Sequence, residues 1–336
     1  MQNYQTIQAL RFIAAVSVAL THATFYIKTR IDPGMTIWEV GSQGVQIFFV
    51  ISGFVMALSS GAIINQPVKW SQFIVRRLAR IAPLYWLMNL VKLATLAMLP
   101  GFLLAKPDFQ NIILSLLFIP SRNENGIVET FYGVGWTLNF EMFFYLLVTI
   151  FLYFKKPVIV YSALALGFFL SLGAFRQEEW PAVTYLFHPY LANFIWGLLI
   201  AKVASKIEMN RPFLGSLLIA ISGYWIFINP IHPTMNLLGI QYAALVFGLL
   251  MLEFKSKDNI PKFLLFGGEF SYSLYLTHAM VGPIAALLIS KMGIHSITAS
   301  LIFMLVIMLL VAAACFVYIE KPIGLVISKR LKRSGY

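Results

Sequence analysis

From Ile297 to Tyr318 the chain carries no charged side chain, and nine further stretches of similar length are nearly as apolar. About 20 such residues make a helix long enough to cross the hydrocarbon core of a bilayer. Inside lipid every backbone N–H and C=O needs a partner within the protein, so these stretches are expected to be helical. With 60% of 336 residues hydrophobic and 11% charged, there is room for roughly ten spans and little chain for a water-soluble domain. The expected fold is an all-α integral membrane protein with about ten transmembrane helices, forming one membrane-embedded domain over residues 1–336. The first stretch holds Arg11 and His22 and lacks a small-x-small exit. It therefore reads as a retained helix rather than a cleaved signal.

The spans are expected at Ile7–Tyr26, Val40–Ser59, Ile81–Leu99, Trp136–Phe154, Pro157–Phe175, Val183–Val203, Phe213–Asn229, Leu237–Glu253, Gly267–Ser290 and Ile297–Tyr318. Lys and Arg in short loops set orientation. One alternate set of loops holds seventeen of them, among them Lys69, Arg76, Arg77, Arg80, Lys206 and Lys257; the other holds six, Lys28, Arg30, Lys106, Arg122, Arg176 and Lys291. Both termini are thus expected in the cytoplasm. The net charge of +12 reports cytoplasmic loops rather than nucleic-acid binding. The single long loop, Pro100–Gly135, falls outside, and its segment Ile112–Ile119 is too short to span. Residues 328–336 read as a basic cytoplasmic tail on the membrane surface. No soluble extracytoplasmic domain is expected. The one cysteine, Cys315, lies in an apolar run and offers neither a disulfide within the chain nor a thiolate metal site.

An ionisable side chain at mid-membrane costs at least ~2.5 kcal/mol, so each marks a functional candidate. Four stand out: Arg11, His22, Glu141 and His278. Eleven helical steps leave Arg11 and His22 on one face, roughly 16 Å apart along the axis. Counting from each helix start, Glu141 and His22 share a depth of ~22 Å from the cytoplasmic side. A carboxylate beside a histidine orients the ring and raises its basicity, which suits deprotonation of a hydroxyl; a purely structural pair is the other reading. His278 falls near the midplane in a stripe with Tyr272, Tyr275 and several hydroxyls, suited to lining a cavity or to bonding neighbouring helices. Arg77 and Arg80 sit at the cytoplasmic mouth of the third span, either anchoring it or gripping phosphates. Ser52-Gly53 permits close helix approach. No Walker loop, zinc spacing, dinucleotide fingerprint or Ser-elbow occurs, so any chemistry is assembled between helices.

These residues carry a resemblance. Arg11 and His22 with ten residues between, Gly44-Val45-Gln46-Ile47-Phe48-Phe49-Val50-Ile51-Ser52-Gly53-Phe54, Arg77-x-x-Arg80 before Pro83, Trp136-Thr137-Leu138 with Glu141, and Ser271-Tyr272-Ser273-Leu274-Tyr275-Leu276-Thr277-His278 follow in order, with Glu320-Lys321-Pro322 closing. From Ile7 to Pro322 the chain resembles the membrane acyltransferase family three. Its opening residues and its Trp136–Tyr145 segment look most like exopolysaccharide-production acetyltransferases.

The resemblance implies a multi-pass enzyme of the bacterial inner membrane. Such an enzyme moves an acyl group, here acetyl, from cytoplasmic acyl-CoA to a sugar hydroxyl of an exopolysaccharide, lipopolysaccharide or other envelope glycan. Acyl-CoA is then the donor substrate, with no permanently bound cofactor and no metal. The acceptor is a lipid-linked or polymeric carbohydrate, and lipids surround the protein. On this reading His22 is the general base, Glu141 its orienting partner, and Arg11 a cation near the pathway or a CoA contact. Arg77 and Arg80 take the CoA phosphates. Trp136, Asn139, Tyr272, Tyr275 and His278 are pocket or structural residues. A transporter or flippase of a lipid-linked sugar is the competing class, but no paired halves with matching interrupted helices are visible.

Overall fold

The computed structural model describes residues 4–63, 66–99, 108–207, 210–229, 238–256 and 259–333, with the backbone alone for 254–256 and 331–333. Lys106, Lys257, part of the Pro100–Gly135 loop and the last residues of the tail lie outside the described residues. The secondary structure is helical, and among the described residues there is no strand beyond an isolated antiparallel bridge between Arg122 and Val128. Among the described residues six helices are long and apolar enough to cross a membrane, which makes this a multi-pass membrane protein; four further apolar helices are shorter, at 10–17 residues. The chain packs as two compact units, Met1–Ser59 with Ala192–Phe316, and Ser60–Leu191 with Val317–Tyr336.

The first unit is organised around α1 (Gln5–Arg30), which packs against α2 (Gly44–Ser59), α9 (Ile240–Ser256), α10 (Lys262–Glu269), α11 (Ser271–Lys291) and α12 (Ile297–Cys315). Its small buried residues Ala15, Ala19 and Ala23 let Leu274, Ala285, Ala286, Met304 and Met308 close over it. α7 (Leu191–Ala204) crosses α2 where Gly53 faces Gly197. A Cβ on Gly53 would lie 2.2 Å from the Phe194 carbonyl oxygen, and one on Gly197 2.1 Å from that of Val50. The Ser52-Gly53 pair thus does what small residues do between membrane helices, allowing backbone contact. α8 (Pro212–Ile228) packs along α9.

The start of α1 is held from a distance. Its first orphan N–H groups donate to the carboxylate of Glu253 on α9, Gln5 N to Oε1 at 2.7 Å and Thr6 N to Oε2 at 3.0 Å, and the Thr6 hydroxyl also donates to Oε2. A negative charge at a helix N-terminus also complements the helix dipole.

The second unit contains α3 (Trp70–Met98), α4 (Phe109–Leu116), α5 (Trp136–Tyr153), α6 (Val158–Gly173) and α13 (Lys321–Arg333). α3 and α5 run antiparallel. Trp70 meets Tyr153 edge-on with ring centroids 5.6 Å apart, Arg77 lies over Tyr145, and Gly135 abuts the Tyr85 ring. The described part of the long loop, from Asp108 to Gly135, is built rather than loose. Asp108 caps α4 through Gln110 N, Asn111 Nδ2 donates to Ser121 Oγ and the Glu129 carbonyl, and Arg122 reaches the carbonyls of Gly126, Glu178 and Trp180. The segment Ile112–Ile119, expected to be too short to span, overlaps the second half of α4, which ends at Leu116.

Four expected boundaries are corrected. α3 begins at Trp70, not Ile81, because its arginines and Pro83 are accommodated inside one 29-residue helix. The sixth span does not start at Val183: Ala182–Leu186 is a 3₁₀ turn, and α7 opens only at Leu191. Pro189 disfavours helical geometry at His188, which delays the helix. The ninth span is two helices, α10 and α11, broken at Phe270. The tenth continues past Tyr318 through a π-helical turn at Phe316–Glu320 into α13, so the basic tail is helical as far as Arg333. Pro322 has no N–H to donate to the preceding turn, and the wider turn falls just before it.

Candidate functional site

In the first unit α1 and α11 meet through their histidines. His22 and His278 have ring centroids 4.7 Å apart, with His278 Nε2 3.3 Å from His22 Nδ1. Each ring also touches its own helix: His22 Nδ1 is 3.2 Å from the Val18 carbonyl oxygen, and His278 Nδ1 is 3.1 Å from that of Leu274. One turn further along, the Tyr26 hydroxyl donates to the Ala279 carbonyl at 3.1 Å. Gly282 makes room for that ring, since a Cβ there would be 2.2 Å from Tyr26 Cε2. His278 is fully buried, whereas His22 is part-exposed.

The polar stripe on α11 is more inward-looking than the sequence suggests. Tyr272, Tyr275, Ser271, Ser273, Thr277 and His278 are all buried. Thr277 Oγ1 donates to the Ser273 carbonyl and Ser271 Oγ to that of Gly268, so these two hydroxyls bond backbone rather than line a cavity. Tyr275 stands between the His278 ring, at 5.8 Å, and Phe48 on α2, at 6.2 Å. Arg11 lies on α1, part-buried, roughly 16 Å along the axis from His22.

In the second unit Arg77 and Arg80 are both carried by α3. They lie about two and three turns inside α3. The Arg77 guanidinium sits 5.6 Å from the Phe73 ring centroid and 5.9 Å from that of Tyr145, a placement that suits a cation over aromatic faces. Its Nε is buried with no hydrogen-bond partner among the described residues. Glu141, one turn from Tyr145 on α5, is among the charges that act on Arg77.

Trp136, Asn139 and Phe140 share a face at the start of α5. Trp136 lies tilted against Tyr190 at 5.4 Å and meets Phe140 edge-on at 6.0 Å. Asn139 is buried, and its Oδ1 has no hydrogen-bond partner among the described residues. Around Phe140 gather Tyr185, His188 and Tyr190, with the His188 and Tyr190 rings 4.1 Å apart. His188 Nδ1 accepts the Tyr190 N–H at 3.3 Å, and burial together with Arg176 pushes its pKa down to about 4. His188 is thus neutral near pH 7.

Three features were missed from the sequence: the His22–His278 contact, the Glu253 cap and the ring cluster around His188. The first had a signal. Of five histidines, His22, His188 and His278 fall inside expected spans, and ionisable groups in one hydrocarbon layer favour each other as partners, although that rule does not say which two of the three meet. Among the described residues no cluster of three or more His, Cys, Asp or Glu could hold a metal ion.

An acyltransferase domain family matches residues 4–320. Among curated proteins, the exopolysaccharide production protein ExoZ of Rhizobium meliloti (strain 1021) is 30% identical over 299 residues, covering 85% of this chain and 90% of the relative. No solved structure matches.

Proposed function

Since the chain belongs to that acyltransferase family, we propose that it is an O-acetyltransferase carrying acetyl from cytoplasmic acetyl-CoA to a hydroxyl of an exopolysaccharide or related envelope glycan. The similarity to an exopolysaccharide production protein supports the acceptor class, and the two arginines inside α3 support the donor. The protein then works in the bacterial inner membrane with ten spans and both termini in the cytoplasm, as the Lys and Arg distribution argues.

The observation that carries the reading is the setting of His22: a part-exposed imidazole whose Nδ1 is engaged by two partners, one of them on the neighbouring helix α11. With Nδ1 held, Nε2 is the nitrogen left to act. The sugar oxygen bonds to the thioester carbonyl carbon as its proton passes to His22 Nε2. The C–S bond then breaks, and the proton is returned to the departing CoA sulfur. Positioned bases of this kind contribute about 10² to 10⁴ in rate.

Arg77 and Arg80 are assigned to the CoA phosphates. A buried Nε with no hydrogen-bond partner among the described residues, beside aromatic rings, supports a ligand oxygen arriving there. Glu141, among the charges that act on Arg77, is assigned with the arginines to the donor-binding residues of the second unit. Arg11 is the cation assigned to the donor or to the developing oxyanion. Trp136 and Asn139 are assigned to the sugar: a ring face packs against the apolar face of a pyranose, and the bare Asn139 Oδ1 accepts from a sugar hydroxyl.

The test is acceptor-dependent release of free CoA from acetyl-CoA by the purified protein, with acetylated glycan identified by mass. Release that requires the glycan supports the reading. Glycan movement across vesicles without CoA release would replace it with transport.

A further inference from the structure

We propose that His278 is the positioning residue of the site: it fixes the tautomer of His22 and accepts a hydrogen bond from the imidazolium formed during transfer, the part a carboxylate plays in other triads. The inference rests on the reading of His22 as the base.

Elementary donor and acceptor rules give the protonation pattern. A carbonyl oxygen only accepts, so His278 Nδ1, 3.1 Å from the Leu274 oxygen, carries a proton. A neutral imidazole has one N–H, so His278 Nε2 is a lone pair. His22 Nδ1, 3.3 Å from that lone pair and 3.2 Å from the Val18 oxygen, faces two acceptors and must be the donor. The proton of His22 is therefore on Nδ1, and its Nε2 is the basic nitrogen. Without such partners neutral histidine in water favours the opposite tautomer, which would leave Nδ1 as the base and turn it toward its own helix.

The contact gains importance when His22 takes the substrate proton. Its Nδ1–H then belongs to a cation, and hydrogen bonds from charged donors are roughly twice as strong as neutral ones. An imidazole lone pair is a better acceptor than a peptide carbonyl, so His278 supplies what Val18 alone does not. The ring cannot swing away. It is fully buried on α11, tied to Leu274 and bounded by Tyr275, while Tyr26 and Gly282 fix the distance between the two helices.

The test compares His278→Gln with His278→Leu in purified protein that is monodisperse and binds acetyl-CoA with the parent dissociation constant. Gln places a carbonyl oxygen near the position of Nε2, whereas Leu offers no acceptor. His278→Leu is expected to lower kcat about 10²-fold, with KM for acetyl-CoA unchanged, because the mispositioned base forfeits the low end of its contribution. His278→Gln is expected to recover most of that loss. Equal rates for the two variants, or a parental rate for His278→Leu while His22→Ala is inactive, would overturn the role of His278 and leave the base standing; an active His22→Ala would instead remove the base itself. A second measurement needs no variant. Nitrogen-15 spectra of histidine-labelled parent protein should show His22 protonated at Nδ1 and bare at Nε2. The opposite tautomer refutes the proposal whatever the variants do.

Discussion

Glu253 joins the far end of α9 to the first turn of α1, the helix that carries Arg11 and His22, and its removal gives a calculable loss. Two backbone N–H groups, at 2.7 and 3.0 Å, and one hydroxyl lose a charged acceptor in Glu253→Ala. An N-cap acceptor is worth typically ~1 kcal/mol, and a negative charge at a helix start adds about 0.3 to 1 kcal/mol. The first contribution counts twice here, since two donors are satisfied. The contacts are only part-buried, so water replaces some of the loss. The expected destabilisation is about 2 kcal/mol. For a unit of about this size, each kcal/mol moves the midpoint by about 2 to 4 °C, giving a fall of ~4 to 8 °C. Glu253→Gln keeps one acceptor oxygen without the charge and should lose about half as much. Thermal unfolding of the detergent-solubilised protein, followed by exposure of Cys315 to a thiol dye, reads both. A midpoint within 1 °C of the parent for the Ala variant, by the same principles, refutes the cap as a source of stability.

Three further outcomes follow. Arg77→Lys with Arg80→Lys keeps charge but not the planar fork, so acetyl-CoA affinity should fall ~10-fold or more with expression preserved; an unchanged dissociation constant would return both residues to anchoring α3. In a Cys315→Ser background, an impermeant thiol reagent applied to intact cells should label Asn125→Cys and spare Lys206→Cys, and the reverse pattern inverts the topology. His188 titrates near 4 when folded and near 6.5 when unfolded, so the unfolded chain binds more protons between these values. Stability is therefore expected to hold above pH ~6.5 and to decline as pH falls towards 4. His188→Gln should flatten that decline, and an equally steep decline in the variant rejects the assignment.

Helix content and the rough placement of most spans were legible because hydropathy over ~20 residues is set by the chain alone. α5 shows this best, expected to run from Trp136 to Phe154 and observed from Trp136 to Tyr153. Boundaries failed where something other than hydropathy decided them. Arg76, Arg77 and Arg80 looked like the edge of a span, yet aromatic partners such as Phe73 and Tyr145 let Arg77 lie within α3. The reach of Pro189 and the break at Phe270 are local backbone effects that averaging over a window hides. The site was legible as a set of residue types and not as a set of pairs. Depth along a helix can be counted, but which helix lies alongside cannot. His278, offered from the sequence as pocket or structure, stands against His22 because α11 packs on α1.

The central claim is that His22 supplies the base for acyl transfer, and acetylated glycan formed by purified, folded His22→Ala tests it most directly. Folding is secured by an unchanged acetyl-CoA dissociation constant and thermal midpoint. The account predicts a rate lower by a factor of at least about 10². Turnover above about a tenth of the parent rate lies outside the smallest loss expected for a removed base and contradicts it.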